Sequence, residues 1–191
     1  DEVCSTLDDA VRIYQTAIDL DVAVAPQLSE VIRNAARLLR PPPSDDVSRR
    51  FLKVLKTRGR LGSTVRNMHD TGILDCIIPE WRHVRNLLQF NQYHHFTVDE
   101  HTLQCLEIGA GFSADTPWGA ACERIQSKEL LHLALLLHDV GKGYPEDHST
   151  VGARLAGDVC RRLCMSESRT DIVQFLVLRH LEMADLAFRH D

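Results

Sequence analysis

The sequence has no apolar run long enough to span a membrane and no charged-then-apolar leader. Its net charge of −5 gives no electrostatic reason for it to bind nucleic acid. None of its six cysteines forms a C-x-x-C pair, and most lie in apolar surroundings with a helical pattern. This usage indicates reduced core thiols rather than a disulfide framework. We therefore expect a soluble, cytoplasmic protein whose partners are neither membranes nor nucleic acids.

Signals for β-structure are missing as well. There is no β-hairpin pattern and no internal repeat, whereas apolar residues recur at helical spacing along most of the chain. The predicted fold class is therefore all-α, a helical bundle with an N-terminal helical extension. Helices over 7–20 and 28–39 precede a triple proline at 41–43, which breaks the chain into an extended joint. We predict an N-terminal linker region over residues 1–43 and a main domain over 44–191.

The length of 191 residues is enough for one well-cored domain. The chain begins without methionine, and we expect it to be part of a longer protein. Beyond the prolines, caps and apolar spacing predict the following order: a helix after Ser44 or Asp45, a helix over 63–70, a helix around 84–88, a helix from 97 to near 109, a loop over 112–119, a helix starting at Asp147 or Ser149, and a last helix over 171–184, after a cap at Ser166, with Ile172, Phe175, Leu176 and Val177 inward.

Histidine is abundant, with ten residues in the chain. Between residues 130 and 137 the sequence is apolar nearly all round and has no β-branched residue, which predicts a helix buried inside the domain. Gly141 or Gly143 is a natural left-handed terminator after it. His138 and Asp139 therefore lie at the last turn of an apolar helix, where neither can stay buried without a partner. The simplest partner is a metal ion.

The second half of the chain carries six candidate ligands at helix ends or on helix faces: His101, His138, Asp139, His148, His180 and Asp191. Imidazole and carboxylate together are the ligands of Mn²⁺, Fe²⁺, Zn²⁺ and, with fewer histidines, Mg²⁺. An aspartate at a helix end can bridge two ions, and ions about 3.5–4 Å apart form a clamp for phosphoester hydrolysis. Lys142, one turn further on, carries a charge that suits a phosphate oxygen.

Spacing alone leaves ordinary structural roles equally open. A histidine on an apolar helix is more often a hydrogen-bonded core residue, which is how we interpret His132 and His83. Lys142 is also an ordinary cation near a helix C-terminus, which the helix dipole favours.

The spaced pattern of His, His-Asp and Asp on an all-α background resembles the HD phosphohydrolase superfamily, whose name is the His138-Asp139 doublet. Within it, residues from about 51 to 191 resemble the central domain of the bifunctional PII uridylyltransferase/uridylyl-removing enzymes. The strings that carry this resemblance are Arg66-Asn67-Met68, Gly72-Ile73-Leu74, Ile78-Pro79-Glu80-Trp81, His94-His95-Phe96-Thr97-Val98-Asp99-Glu100-His101-Thr102-Leu103, His138-Asp139-Val140-Gly141-Lys142-Gly143, Asp147-His148-Ser149, His180-Leu181-Glu182-Met183 and Arg189-His190-Asp191.

The resemblance implies a role for each candidate residue. The four ligands shared by HD domains correspond to His101, His138, Asp139 and Asp191. The additional histidines of two-metal members correspond to His148 and His180, with Asp139 bridging the ions. One or two divalent ions (Mn, Fe, Zn or Mg) are the implied cofactor. Asp139 and Lys142 are the implied catalytic residues, and His94 and Lys142 the implied substrate contacts.

The implied activity is uridylyl removal, the hydrolysis of the phosphodiester that joins UMP to a tyrosine of the nitrogen-regulatory protein PII. PII and a nucleotide are the implied partners. The tyrosine phenolate has a pKa of about 10 and leaves without strong acid assistance. No Gly-Ser signature with paired aspartates is present, so we do not expect this chain to add UMP. The alternatives are an HD phosphohydrolase acting on a free nucleotide, a guanosine alarmone or a cyclic dinucleotide, a non-catalytic nucleotide-sensing module, and a purely structural helical spacer.

Overall fold

A computed structural model describes residues 3–39, 42–88, 96–182 and 186 of the chain. Within these ranges the regular structure is helical and includes no strand, which confirms the all-α prediction. None of the helices in this part of the chain combines the length and the apolar character needed to cross a bilayer. The helices are α1 (Leu7–Asp19), α2 (Pro26–Ala36), α3 (Asp45–Lys56), α4 (Leu61–Thr71), α5 (Ile73–Ile77), α6 (Trp81–Val84), α7 (Val98–Ala110), α8 (Pro117–Arg124), α9 (Lys128–Leu137), α10 (His148–Arg162) and α11 (Glu167–Leu178).

Local capping explains why several helices begin where they do. The hydroxyl of Thr6 accepts a hydrogen bond from the backbone N–H of Asp9 at 3.1 Å, and the Asp9 carboxylate accepts one from the N–H of Thr6 at 3.0 Å. This reciprocal pair is a capping box at the start of α1. Ser44 caps α3 by accepting from the N–H of Val47 at 3.2 Å. The helix predicted after Ser44 is confirmed.

Helix α9 is the central element, because α3, α7 and α11 all pack against it. Its residues Leu133, Leu136 and Leu137 are fully buried, as the sequence predicts. Tyr14 of α1 and Ile32 of α2 belong to the same continuous hydrophobic cluster. Helix α1 packs on α3, and α2 packs on α4. The domain boundary at residue 43 stays a prediction.

Two predictions between α5 and α8 are wrong. Instead of a helix around 84–88, α6 ends at Val84, and Asn86 has a φ of 56°. The N–H of Asn86 donates to the carboxylate of Asp99 at 2.9 Å, and the Leu87 carbonyl accepts from the N–H of Val98 at 3.0 Å. These long-range bonds to the start of α7 replace helical ones. The predicted loop over 112–119 is shorter, because α8 begins at Pro117.

The last predicted helix also differs. Ser166 is the N-cap residue as expected, but α11 spans Glu167–Leu178 rather than residues 171–184. Its buried stripe includes Val173 and Val177. Ile172 is 47% exposed and Phe175 is 59% exposed, which contradicts their predicted inward orientation. Helix α11 packs against α9 and α10, and its buried residues are Thr170, Val173 and Val177, so the apolar residues beside this stripe face outward.

Candidate metal centre

The His-Asp doublet lies at the turn that ends α9. His138 is the C-cap residue, and its Nδ1 donates a hydrogen bond to the carbonyl of Leu135 at 2.8 Å. This bond fixes the proton on Nδ1, so the Nε2 lone pair is directed at Asp139, with Nε2 at 3.2 Å from Oδ2. Asp139 is only 2% exposed. The end of a buried helix therefore holds a carboxylate and a metal-binding imidazole nitrogen side by side.

A close backbone contact brings the start of α10 to this turn. A Cβ atom on Gly141 would lie 2.2 Å from the carbonyl oxygen of His148 and 2.5 Å from the amide nitrogen of Gly152. Only glycine leaves room for that approach. Gly141 and Gly143 were the two alternatives for a left-handed terminator; Gly143 has a φ of +87°, whereas Gly141 is not among the residues with positive φ. The contact at Gly141 sets His148 beside Asp139.

Histidines from four places in the fold converge on the two oxygens of Asp139. Oδ2 lies 3.7 Å from Nε2 of His101, in addition to its contact with His138. Oδ1 lies 3.9 Å from Nε2 of His148 and 3.7 Å from Nε2 of His180. The structure therefore brings together five of the six predicted ligands, from α7, the end of α9, the start of α10 and the residues after α11. The sixth, Asp191, lies outside the described residues, as does the predicted substrate contact His94.

The hydrogen bonding of these histidines fits a divalent cation. His180 donates from Nδ1 to the carbonyl of Val177 at 2.7 Å, which leaves its Nε2 as an acceptor, as in His138. Nε2 of His148 is buried and has no hydrogen-bond partner among the described residues. A buried nitrogen in that state costs free energy unless something binds it. Three imidazole nitrogens thus face one carboxylate, and the Nδ1 hydrogen bonds of His138 and His180 leave the Nε2 lone pairs of these two residues able to bind a metal.

The local charges favour the protonation states that bind a metal. Burial alone would raise the pKa of Asp139, but His138 and the ammonium group of Lys142, both in contact with the carboxylate, outweigh it and hold that pKa well below its usual range. The Nζ atom of Lys142 is 2.8 Å from Oδ2 of Asp139. Burial is the main cause that lowers the pKa of His180. Asp139 is therefore ionised and His180 neutral at neutral pH.

A cavity of about 460 Å³ opens beside the cluster. One end is polar and contains His101, His138, Asp139, Lys142 and His180. Its other wall is apolar and is formed by Leu131, Ala134, Leu135, Leu176 and Leu181.

Cys105 also lines this cavity, with its sulfur 3.6 Å from Nε2 of His101. Sequence reasoning treated all six cysteines as core thiols and missed this one. The available signal was the spacing of four residues between His101 and Cys105, which sets both on one face of α7. Burial, followed by the negative charge of Asp139, raises the pKa of the Cys105 thiol.

Three further histidines in the described part of the chain lie outside the cluster. His132 is buried and donates from Nδ1 to the carbonyl of Leu55 at 2.6 Å, which confirms the predicted core role. His83 is exposed, so its predicted core position is wrong, although its Nε2 donates to the carbonyl of Lys142 at 3.1 Å. His69 accepts at Nδ1 from the indole N–H of Trp81 at 3.0 Å.

A family model described as "HD domain" matches residues 98–189, a segment that contains all five clustered residues. Similar curated proteins carry the name bifunctional uridylyltransferase/uridylyl-removing enzyme. The protein from Cereibacter sphaeroides is 34% identical over 189 residues, which cover 95% of this chain and 20% of the relative. The protein from Ruegeria pomeroyi is 34% identical over 189 residues (95% and 21%), and that from Azospirillum brasilense 34% over 192 residues (96% and 20%). The chain spans about a fifth of the length of these relatives.

Proposed function

We propose that this chain, whose residues 98–189 match the HD domain family model, is a metal-dependent phosphodiesterase that removes UMP from a tyrosine of the protein PII. One observation carries the proposal. The buried Asp139 carboxylate turns one oxygen to His101 and His138 and the other to His148 and His180. The names of the relatives support the choice of uridylyl removal.

The proposed ligands are the five clustered residues together with Asp191. Divalent ions in such a centre supply an activated water and neutralise the charge on phosphoryl oxygens. A donor set rich in imidazole suits Mn²⁺, Fe²⁺ or Zn²⁺ better than Mg²⁺.

Lys142 is the proposed contact for a phosphate oxygen of the substrate. Its ammonium group is held by Asp139 at the polar end of the cavity, and its side chain is only 11% exposed. A charge fixed and desolvated in this way binds a phosphate oxygen more strongly than one on a freely moving surface lysine. His94, the second predicted substrate contact, remains part of the proposal on the sequence resemblance alone.

The apolar wall of the cavity supports an aromatic phosphoester as substrate. Leu131 and Leu135 lie one helical turn apart on α9, on the same side as His138, and Leu176 faces them from α11. A uridylylated tyrosine carries an aromatic ring on each side of its phosphate. One ring packed on these leucines would keep the phosphorus beside the histidine cluster.

The test is a product assay across substrate classes. The chain is incubated with Mn²⁺ and uridylylated PII, a nucleoside triphosphate, a guanosine alarmone or a cyclic dinucleotide, and released products are separated by chromatography. We expect UMP release from uridylylated PII only. Turnover of one of the other substrates instead would favour another HD phosphohydrolase, and binding without turnover would favour a sensing module.

Two carboxylate-to-amide variants distinguish loss of the metal centre from a general effect of removing one negative charge. Asp139→Asn should abolish hydrolysis while the circular dichroism spectrum stays helical. Asp158→Asn is the matched control, because Asp158 lies on α10 in an exposed pair with Arg161. It should keep full activity. Activity retained in Asp139→Asn would refute the assignment of the centre.

A further inference from the structure

Cys105 lies where a third donor atom would complete a set with two histidines of the centre. The donor atoms of His101, Cys105 and His138 all lie within 4.8 Å of one another. A second set, Asp139, His148 and His180, satisfies the same limit. The five residues with imidazole or carboxylate groups were predicted from the sequence, and Cys105 is the addition.

The spacing of these atoms matches a tetrahedral transition-metal site. Zinc binds sulfur at about 2.3 Å and imidazole nitrogen at about 2.1 Å, so two such ligands on a tetrahedral ion lie roughly 3.6 Å apart. The sulfur of Cys105 is 3.6 Å from Nε2 of His101. His138 already offers Nε2, because its Nδ1 is bonded to a carbonyl.

The two sets lie on opposite sides of the Asp139 carboxylate. Oδ2 faces His101 and His138, whereas Oδ1 faces His148 and His180. Thiolate is a soft ligand that selects Zn²⁺ over Mg²⁺ and Mn²⁺, whereas carboxylate and imidazole alone select less strongly. A sulfur on one side only would make the two sides chemically different.

We propose that Cys105 is a metal ligand, and that its thiolate makes the His101–Cys105–His138 side of the centre selective for Zn²⁺. The proposal rests on the metal centre of the proposed function and adds a donor to it. The thiol releases its proton to solvent when the sulfur binds the ion. The Asp139–His148–His180 side keeps only nitrogen and oxygen donors and accepts a harder ion such as Mn²⁺.

Cobalt titration of the metal-free chain provides the test, because Co²⁺ bound to thiolate absorbs strongly in the near ultraviolet. We expect this charge-transfer band in the wild-type chain and its loss in both Cys105→Ser and Cys105→Ala. Cys122→Ser is the matched control, since Cys122 is a half-buried free thiol on α8 that belongs to neither set. It should keep the band. Zn²⁺ affinity should fall at least about tenfold in Cys105→Ser, since even outer partners of metal ligands contribute 10–100-fold.

The outcomes separate this inference from the proposed function. A wild-type chain that binds Co²⁺ and hydrolyses a phosphodiester without the sulfur band would overturn the role of Cys105 and leave the metal centre intact. A wild-type chain that binds no Co²⁺ would overturn both. A band that persists in the two Cys105 variants would assign the sulfur to another cysteine and overturn the proposal.

Discussion

The contact between Gly141 and α10 gives a sharp test of how the fold builds the centre. In Gly141→Ala the new Cβ would meet the backbone of His148 and Gly152, which cannot swing aside as a side chain can. Ordinary contact begins near 3.4 Å and the Cβ would stand 2.2 Å from the His148 oxygen, so the two segments must part by roughly 1.2 Å (3.4 − 2.2). The distance of 3.9 Å between His148 Nε2 and Asp139 Oδ1 would then widen as well.

Two opposing effects set the size of the change. Overpacking in a well-packed region costs about 1–3 kcal/mol. Replacing glycine by alanine restricts the unfolded chain and returns about 0.4–1 kcal/mol. The steric cost therefore wins. In the middle of these ranges the net cost is about 1.3 kcal/mol (2 − 0.7). In a chain of this length each 1 kcal/mol lowers Tm by about 2–4 °C, so we expect a fall of roughly 3–5 °C.

The assay is thermal unfolding followed by circular dichroism, first with chelator and then with Mn²⁺. A bound ion raises Tm more the more tightly it binds, so Gly141→Ala should show both a lower Tm with chelator and a smaller rise on adding Mn²⁺. Gly59→Ala is the control, because a Cβ on Gly59 would meet nothing within 4 Å. Gly59→Ala should leave the rise in Tm on adding Mn²⁺ unchanged, and its Tm with chelator should be unchanged or slightly higher than that of the wild type. Equal Tm values and equal Mn²⁺-induced shifts in wild type and Gly141→Ala would refute this reasoning.

Three further predictions concern separate side chains. Burial is the main cause that lowers the pKa of His132 below the ordinary histidine value of 6.5, so below that pH the unfolded chain binds more protons than the folded chain. Stability present above pH 6.5 is then lost as the pH falls below that value. When the free energy of unfolding is measured with urea at several pH values, His132→Gln should lose less stability on acidification than the wild type, and an equal loss in both would exclude this role. Lys142→Met should lower kcat roughly 10²-fold or more while elemental analysis finds the same metal content, whereas loss of metal would make Lys142 structural. Leu135→Asn should raise KM for bis(4-nitrophenyl) phosphate roughly tenfold with little change in kcat. An unchanged KM would show that the aromatic ring of the substrate does not bind against the apolar wall.

Elements whose signals are local were predictable from the sequence. The apolar run of α9, the Ser44 cap of α3 and the periodic pattern of α1 all lie within one helix length. Helix α6 and the orientation of α11 depend on distant partners, and here prediction failed. Nothing near Asn86 in the sequence shows that the carboxylate of Asp99 accepts a hydrogen bond from its backbone N–H. Nothing in the sequence of α11 itself shows which of its apolar residues face α9 and α10 and which face solvent.

In the candidate site, too, some features could be predicted from the sequence and others depend on the tertiary structure. Its histidines and Asp139 follow from a motif whose chemistry requires those residue types, and five of the six come together in the fold. Cys105 was missed because a cysteine on an apolar helix face is usually a core residue. The need for glycine at position 141 was not visible either, since it arises from a contact with α10 that only the tertiary structure creates. The ligand roles of the clustered histidines and Asp139, and the catalytic roles of Asp139 and Lys142, stay predictions.

Anomalous X-ray scattering from crystals grown with Mn²⁺ and Zn²⁺ tests the central claim most directly, because it locates ions and identifies the element. The account predicts at least one ion within bonding distance of an Asp139 oxygen and of Nε2 of His148 or His180, and a zinc peak on the side of Cys105. Ions found only elsewhere on the chain, with the histidine cluster empty at full metal loading, would contradict it.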